Sequence, residues 1–289
     1  MGGLPFWLLQ KYPNIKLRTS DSSFLKHVDE WFAILLQRIK PHLYINGGPI
    51  IMVQSENEYG SYAKQTKKSD TIYLNHLQKT LRKHLGPEVF LYSTDGCSDQ
   101  DVRGSKYPSV YSTVDFGPES DPEKCFAIQQ LFEPGGPLVN SEYYPGWLDH
   151  WGKPHSKKSK EIVTKTLDKM LSMGANVNIY MMHGGTSFGF KVNNLITHIL
   201  TLACVKKILI KKCQKAGANG DPGPYQPTPT SYDYDAPITE SGDLTDKYYA
   251  IKEVLKKYVS IPQIDVNSTS PKGAPIRLIP RHFILDCSS

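Results

Sequence analysis

Residues 46–54 read NGGPIIMVQ, a turn with two glycines and a proline followed by a run of apolar residues. A short apolar run that begins at a turn is typical of a parallel strand buried on both faces. In the preceding segment, residues 24–39, the apolar side chains recur at helical spacing, which predicts a helix. A helix leading into a buried strand indicates an α/β fold with a largely parallel sheet.

The same alternation of helix and strand continues along the chain. Strands are predicted at 50–54, 89–92, 110–114, 137–140 and 177–182, and further helices at 73–85, 122–132 and 162–171; no helix is predicted between 93 and 109. The strand starts are about 32 residues apart, close to the roughly 31 residues per unit of a (β/α)₈ barrel. A doubly wound sheet has similar spacing, so spacing leaves both folds open. No GxGxxG or GxxxxGK[ST] motif follows a strand, which favours the barrel.

One segment accounts for the net positive charge of the chain. The net charge is +6, and residues 191–216 contain six lysines and no acidic residue, so the rest of the chain is balanced. We therefore expect no nucleic-acid-binding face. The uncharged stretch 192–205 is shorter than the roughly 20 residues of a membrane span. We interpret 191–216 as an insertion foreign to the fold.

The ends of the sequence and its cysteines give few further constraints. Residues 261–289 contain several prolines and an Asn267-Ser268-Thr269 glycosylation pattern, and are predicted to be a linker toward a C-terminal β domain. The N-terminus has no recognisable signal peptide. Five cysteines without a CxxC pair indicate neither a zinc ribbon nor a complete disulfide framework.

Two glutamates are predicted to share one end of the sheet. Glu58 follows strand 50–54 and Glu142 follows strand 137–140, and the C-terminal ends of parallel strands carry the active site in barrels. Paired carboxylates suit glycoside hydrolysis, and nearby aromatic rings would pack against a sugar: Tyr59, Tyr144, Trp147 and Tyr180. On position alone, two surface charges among 28 acidic residues are the commoner explanation. His183, and His150 with His155, lack a ligand motif such as HExxH, so no metal is expected.

Several longer strings resemble one enzyme family. They are GGLPFWLL, LYINGGPIIMVQSENEYGSY, TVDFG, VNSEYYPGWLDHWG, NVNIYMMHGGTSFGF and PTSYDYDAPITESGDLTDKY, and they are similar to the catalytic domain of family 35 glycoside hydrolases, the acid β-galactosidases of animals and plants. The similarity extends from residue 2 to about 260, apart from 191–216. It implies a TIM barrel, here truncated at the N-terminus with about strands 4 to 8 present. Residues 1–260 would then be a partial catalytic domain.

The resemblance also implies roles for single residues. Glu58 matches the family's acid/base and Glu142 its nucleophile, with their carboxyl groups about 5 to 5.5 Å apart as in retaining enzymes. The residues that match galactose-binding positions are Asn57, Tyr144, Tyr180 and Tyr234.

The expected activity is that of a retaining exo-β-galactosidase. It would release terminal β-linked galactose from glycans or glycoconjugates, without a cofactor. The alternative is an inactive fragment or a galactoside-binding remnant, because the missing strands carry part of the pocket. The full-length protein is expected to be lysosomal or extracellular, and its oligomeric state stays open.

Overall fold

The computed structural model describes residues 4–186 and 228–260. Its centre is a five-stranded sheet in which every pairing is parallel. The strands are β1 (Val53–Asn57), β2 (Leu91–Gly96), β3 (Tyr111–Phe116), β4 (Val139–Tyr143) and β5 (Asn176–Ile179). The predicted insertion at 191–216 and the predicted linker at 261–289 lie outside the described residues.

Eight α-helices precede, connect and follow these strands within the described residues. They are α1 (Phe6–Lys11), α2 (Ser22–Ile39), α3 (Tyr59–Thr66), α4 (Thr71–Leu85), α5 (Asp99–Ser105), α6 (Pro122–Phe132), α7 (Lys160–Ser172) and α8 (Asp246–Leu255). Most begin at an N-cap side chain that accepts a hydrogen bond from the first turn, as Asp121 does from Glu123 N in α6. None of these helices combines the length and the hydropathy that a bilayer crossing requires.

The strands lie in the sheet in the order in which they occur in the chain, β1-β2-β3-β4-β5. Each strand is followed by at least one helix before the next strand pairs with it in parallel. A doubly wound sheet reverses its strand order at a switch point, and these five strands show no reversal. The predicted α/β fold with a parallel sheet is therefore confirmed, as are the predicted helices that correspond to α2, α4, α6 and α7.

The strand boundaries differ from the prediction in a consistent direction. β1 to β4 each begin one to three residues later and end two to four residues later than predicted, and their last residues are mostly polar or aromatic, as in β1 (VQSEN) and β4 (VNSEY). β5 is the exception, since it begins one residue earlier and ends three residues earlier than predicted. The predicted strands ended where the apolar run ended, although polar residues keep the ladder hydrogen bonds to the C-terminal end. Glu142 consequently lies inside β4 and not after it. A helix, α5, also occupies part of the segment 93–109. No helix was predicted there, because the sequence DQDVRGS has no apolar face.

Apolar residues pack the outer face of the sheet against the helices. One cluster joins α2 and α4 to β2, and a second joins α6, α7 and α8 to β3 and β4. Val114 and Phe116 of β3 belong to the second cluster, whereas Thr113 and Asp115 alternate with them. A disulfide bond joins Cys97, after β2, to Cys125 in α6, a pairing that the sequence does not indicate.

Candidate active site

Three carboxylic acids lie at the C-terminal end of the sheet. Glu58 directly follows β1, Asp115 lies in β3, and Glu142 lies in β4 as the register partner of Asp115. The backbone N–H of Glu58 donates to the carbonyl of Thr94 in β2 at 2.8 Å. The negative charge of Glu58 contributes to a raised pKa of both Asp115 and Glu142. The structure thus brings the predicted pair into one site and adds Asp115, which the sequence does not single out.

The backbone of Glu58 is held between a strand and a helix. Its φ of 47° and ψ of 39° lie in the left-handed region, which non-glycine residues rarely adopt and which occurs at functional sites. Its carbonyl accepts from Tyr62 N in the first turn of α3. Gly60 N donates to the buried Asp95 at 2.8 Å, and a Cβ on Gly60 would lie 1.7 Å from the carbonyl oxygen of Asp101. Only glycine at residue 60 lets α3 approach α5 so closely.

An arginine stabilises the strand that leads to Glu58. The Arg18 guanidinium donates to both carboxylate oxygens of Glu56, at 3.0 and 2.7 Å, and to the carbonyl of Asn57 at 2.5 Å. It also lies over the ring of Tyr62, 4.8 Å from its centroid. Glu56 accepts a further bond from Tyr73 Oη at 2.7 Å. Bidentate Arg–carboxylate pairs have a fixed geometry, so Arg18 orients the end of β1.

The environment of Glu58 contains charges of both signs. Its side chain is partly exposed, yet the surrounding protein desolvates it and raises its pKa; Arg18 opposes this rise and Asp101 adds to it. The amide of Asn57 donates to Glu58 Oε2 at 3.4 Å, and Asn57 Oδ1 accepts from Gln54 at 2.9 Å. Asn57 therefore lies beside Glu58.

Glu142 and Asp115 share one tyrosine hydroxyl. Tyr144 Oη lies 2.9 Å from Asp115 Oδ1 and 3.2 Å from Glu142 Oε2. Burial, followed by the charge of Glu58, raises the pKa of Glu142 to about 7. Burial, followed by the charges of Glu58 and Glu142, raises the pKa of Asp115 to about 8. Of these two carboxyls, Asp115 is the one that keeps its proton to higher pH.

Aromatic rings form one wall beside Glu142. Tyr144 lies edge-on to Trp147 and Tyr180, with ring centroids 5.2 and 6.3 Å apart. Tyr234 contacts Trp147, Tyr180 and Tyr232 at 6.1, 5.8 and 5.3 Å. The predicted tyrosines at 144, 180 and 234 thus meet in one cluster. The structure adds Tyr232 to this cluster. The sequence offers one indication of this, because Tyr232 lies only two residues before Tyr234.

Three loops must approach closely for these rings to meet. A Cβ on Gly146 would lie 1.6 Å from the carbonyl oxygen of Tyr234, and one on Gly184 would lie 1.8 Å from that of Tyr232. The buried Lys247 of α8 joins two of the loops by donating to the carbonyl of Pro145 at 2.8 Å and to the carboxylate of Asp235 at 2.6 Å. Lys247 therefore fixes the Tyr234 loop against the loop after β4.

Tyr59 lies apart from the aromatic rings beside Glu142. Tyr59 was expected among the sugar-facing rings, but it is 1% exposed and packs in the helix cluster against Tyr62 and Tyr73. This expectation was wrong, because Tyr59 begins α3 and turns away from the end of the sheet. His155 lies 2.6 Å from Asp149. Within residues 4–186 and 228–260, no group of three or more His, Cys, Asp or Glu side chains could hold a metal ion.

Comparison with known proteins gives a consistent result. The family profile described as glycosyl hydrolases family 35 matches residues 1–258. The chain is 47% identical to a β-galactosidase of Felis catus over 274 residues, which cover 95% of this chain and 36% of the cat protein. It is 44% identical to a β-galactosidase of Mus musculus over 283 residues, or 98% and 39% of the two chains. A β-galactosidase-1-like protein of Mus musculus is 46% identical over 94% of this chain and 37% of its own length. The chain thus spans little more than a third of the length of these curated relatives.

Proposed function

Because this chain belongs to family 35 of the glycosyl hydrolases, we propose that it forms the catalytic part of a retaining exo-β-galactosidase. The observation that carries the proposal is the convergence of Glu58 and Glu142 at the C-terminal end of a parallel sheet. Catalytic residues of (β/α) enzymes occur at that end. The substrate is proposed from relatives named β-galactosidase, and would be terminal β-linked galactose on glycans or glycoconjugates.

The sheet would be part of a (β/α)₈ barrel. Support comes from the sequential parallel order of the five strands and from their polar inner face. On that face Thr113 Oγ1 lies 2.7 Å from Ser141 Oγ, and Thr94 Oγ1 donates to Asp115. In the family's order β1 to β5 would be strands 4 to 8, which makes Glu58 the residue after strand 4 and assigns Glu142 to strand 7.

The chemistry follows from the two carboxyls. Glu58, as the acid, would give its proton to the glycosidic oxygen while a carboxylate oxygen of Glu142 attacks the anomeric carbon. The C–O bond to the leaving group breaks and a galactosyl ester forms on Glu142. Glu58, now ionised, would take a proton from a water that attacks the same carbon and releases Glu142. Each of the two steps inverts the anomeric carbon, so its configuration is retained overall. In this mechanism the two carboxyl groups lie about 5 to 5.5 Å apart.

The aromatic wall would bind the galactose. Tyr144, Tyr180 and Tyr234 surround the nucleophile, and Asn57 lies beside the acid. The Tyr234 hydroxyl is buried and has no hydrogen-bond partner in the described part of the chain. A buried hydroxyl without a partner is costly, and a sugar hydroxyl would supply one. No metal or organic cofactor enters this mechanism.

A lysosomal or extracellular location is also proposed. The Cys97–Cys125 disulfide supports it, because disulfides persist in oxidising compartments and are rare in the cytosol. Peptide mapping under non-reducing conditions of the protein from its native tissue tests this, since free thiols at both positions would contradict it.

The function is tested by trapping the covalent intermediate. The protein, expressed at the full length that its gene encodes, is treated with a 2-deoxy-2-fluoro-β-galactoside that carries an activated leaving group. Mass spectrometry should find the fluorogalactosyl group on Glu142, and Glu142→Gln should remove the adduct because an amide does not attack the anomeric carbon. Glu123→Gln, which changes an exposed glutamate of α6, is the matched control and should label like the wild type. An adduct on another residue, or none on the wild type, would refute the proposal.

A further inference from the structure

The inference concerns Asp115 and rests on the proposed function. A tyrosine hydroxyl carries one hydrogen. Tyr144 Oη lies within hydrogen-bonding distance of Asp115 Oδ1 and of Glu142 Oε2, at 2.9 and 3.2 Å. If both carboxyls were ionised, only one of them could receive that hydrogen. The geometry is fully satisfied only when one of the two carboxyls carries a proton of its own.

The surroundings decide which carboxyl holds this proton. Asp115 is 5% exposed, whereas Glu142 is half-buried and belongs to the open end of the sheet. The charges that raise the pKa of Asp115 both have its own sign: Glu58 after β1 and Glu142 in β4. Asp95 in β2 is a further buried acid, and burial raises its own pKa well above the ordinary value. A buried carboxyl surrounded by carboxylates loses its charge first. Burial and the charges of Glu58 and Glu142 raise the pKa of Asp115 to about 8, above the value of about 7 for Glu142.

The other oxygen of Asp115 is compatible with a neutral acid. Oδ2 accepts from Thr94 Oγ1 at 3.1 Å, so the proton belongs on Oδ1, which faces Tyr144. Thr113, the next residue on this face of β3, directs its own hydroxyl hydrogen to the carbonyl of Ser93 at 2.7 Å. The hydroxyl groups of Thr94 and Thr113 therefore keep their acceptors when Asp115 is neutral.

We propose that Asp115 is a positioning residue for the nucleophile: as the neutral acid it donates to Tyr144 Oη, so that the Tyr144 hydroxyl donates its single hydrogen to Glu142 Oε2. The chain of donors runs in one direction, from Asp115 through Tyr144 to Glu142. It fixes Oε2 and leaves Oε1 of Glu142 to form the bond to the anomeric carbon. It also stabilises Glu142 as the carboxylate, both before attack and when the galactosyl ester is cleaved.

Two substitutions at Asp115 separate this role from a merely structural one. Asn in place of Asp115 keeps a donor toward Tyr144 but cannot ionise, whereas Leu has similar size and no donor. Asp115→Asn should keep kcat/KM within about threefold of the wild type, and Asp115→Leu should lower kcat roughly tenfold or more with a smaller change in KM. Equal loss in both variants would overturn the proposal, because the carboxylate would then be needed.

A double-mutant cycle tests the path through Tyr144. Tyr144→Phe removes the hydroxyl that relays the effect, so adding Asp115→Leu to Tyr144→Phe should cost less than about threefold in kcat. Independent losses that multiply would overturn the proposal. If Asp115→Leu does not fold in a thermal melt, the Asn variant and the spectroscopic measurement that follows still decide the matter.

Infrared spectroscopy observes the proton directly. With ¹³C-labelled aspartate, the wild-type protein at pH 6 should show the C=O stretch of a neutral carboxylic acid, and Asp115→Asn should remove one component of it. Asp168→Asn, at an exposed carboxylate paired with Lys257, should leave the band unchanged. An unchanged band in Asp115→Asn would overturn the proposal even if the enzyme is active. Conversely, a wild type that neither hydrolyses β-galactosides nor labels at Glu142 would refute the proposed function, while the infrared band would still report the state of Asp115.

Discussion

The two glutamates of the site are held in different ways. Glu58 lies after the terminal strand β1 in a strained backbone conformation, and a cation, Arg18, acts on it. Glu142 lies within β4, between two paired strands, and its neighbours are carboxyls and tyrosines. One carboxyl is positioned by a turn and a salt bridge, and the other by the sheet ladder and an aromatic wall.

The difference suits their proposed roles. The Glu58 side combines a positive charge with solvent access, which allows an acid to lose and regain its proton in each turnover. On the Glu142 side, the contacts described above are a tyrosine hydroxyl and neighbouring carboxyls, so the proposed nucleophile depends on hydrogen bonds for stabilisation. Substitutions on the two sides should therefore fail in different ways.

The largest effect is expected from removing the nucleophile. Glu142→Gly should lower kcat at least about 10⁴-fold, because no group remains to form the galactosyl ester. Added azide should fit the space left by the side chain and restore turnover of an activated β-galactoside, with α-galactosyl azide as the product. NMR of the product gives the anomer. A β-galactosyl azide would show that Glu142 is not the nucleophile.

Removal of the acid should depend on the leaving group. Glu58→Gln should slow galactosides with poor leaving groups by about 10²- to 10⁴-fold, and should spare the first step for leaving groups that need no proton. Pre-steady-state release of an activated phenol measures that step. A loss of equal size for activated and unactivated galactosides would remove Glu58 from the acid role.

Arg18 should matter for stability through Glu56. Arg18→Leu leaves the buried Glu56 without its cation, and should lower the free energy of unfolding by about 3 to 5 kcal/mol. Arg103→Leu is the matched control, because Arg103 pairs with Asp99 on the surface and its loss should change stability little. Urea unfolding measures both. Similar stabilities for the two variants would show that the Arg18–Glu56 pair does not hold β1.

Lys247 should affect substrate binding more than chemistry. Lys247→Met frees the Tyr234 loop from the loop after β4, so KM should rise roughly tenfold with a smaller change in kcat. Lys160→Met, in an exposed pair with Asp246, is the control and should leave KM unchanged. Steady-state kinetics on an unactivated galactoside decides between these outcomes. A fall in kcat without a rise in KM would contradict the positioning role.

The sequence predicts the part of the site that follows from simple patterns. Glu58 and Glu142 are recognisable because a carboxylate after an apolar run is expected at the end of a parallel strand. Asp115 obeys the same rule, since it follows the predicted strand 110–114 directly. The sequence does not single out Asp115, because a glycosidase mechanism requires only two carboxyls. The proposed role of the third becomes visible only in the structure, where the Tyr144 hydroxyl lies within hydrogen-bonding distance of both Asp115 and Glu142.

Other features depend on distant contacts that no local pattern contains. Arg18 lies in a segment without periodicity and acts on residues 38 and 39 positions away. A lysine is expected at the surface, but Lys247 is only 6% exposed. Its burial depends on backbone carbonyls from two other loops, which no local pattern around residue 247 indicates. The C-terminal boundaries of β1 to β4 were displaced because the apolar run of each strand ends before its ladder hydrogen bonds do.

The smallest predicted effect concerns the dependence of stability on pH. The folded-state pKa values of Asp115 and Glu142 are raised to about 8 and about 7, above the roughly 4 of unfolded Asp and Glu. Between about pH 4 and 8 the folded state thus binds more protons than the unfolded state. Stability contributed by these carboxyls is fully present below about pH 4 and is lost as the pH rises to 8. The melting temperature should therefore be higher at pH 5 than at pH 8.

Asp115→Asn should reduce this slope, because one of the carboxyls that gives up its proton on unfolding is gone. More than about 1 kcal/mol of the decline between pH 5 and 8 should disappear, since one pKa unit is worth about 1.4 kcal/mol. Asp168→Asn should keep the wild-type slope, because contacts with Tyr258 and Lys257 lower the pKa of Asp168 and it does not titrate in this range. Calorimetry at several pH values measures the slopes. If Asp115→Asn keeps the full wild-type slope, Asp115 does not hold a proton on the Glu142 side, and the contrast between the two carboxyl environments rests on Arg18 alone.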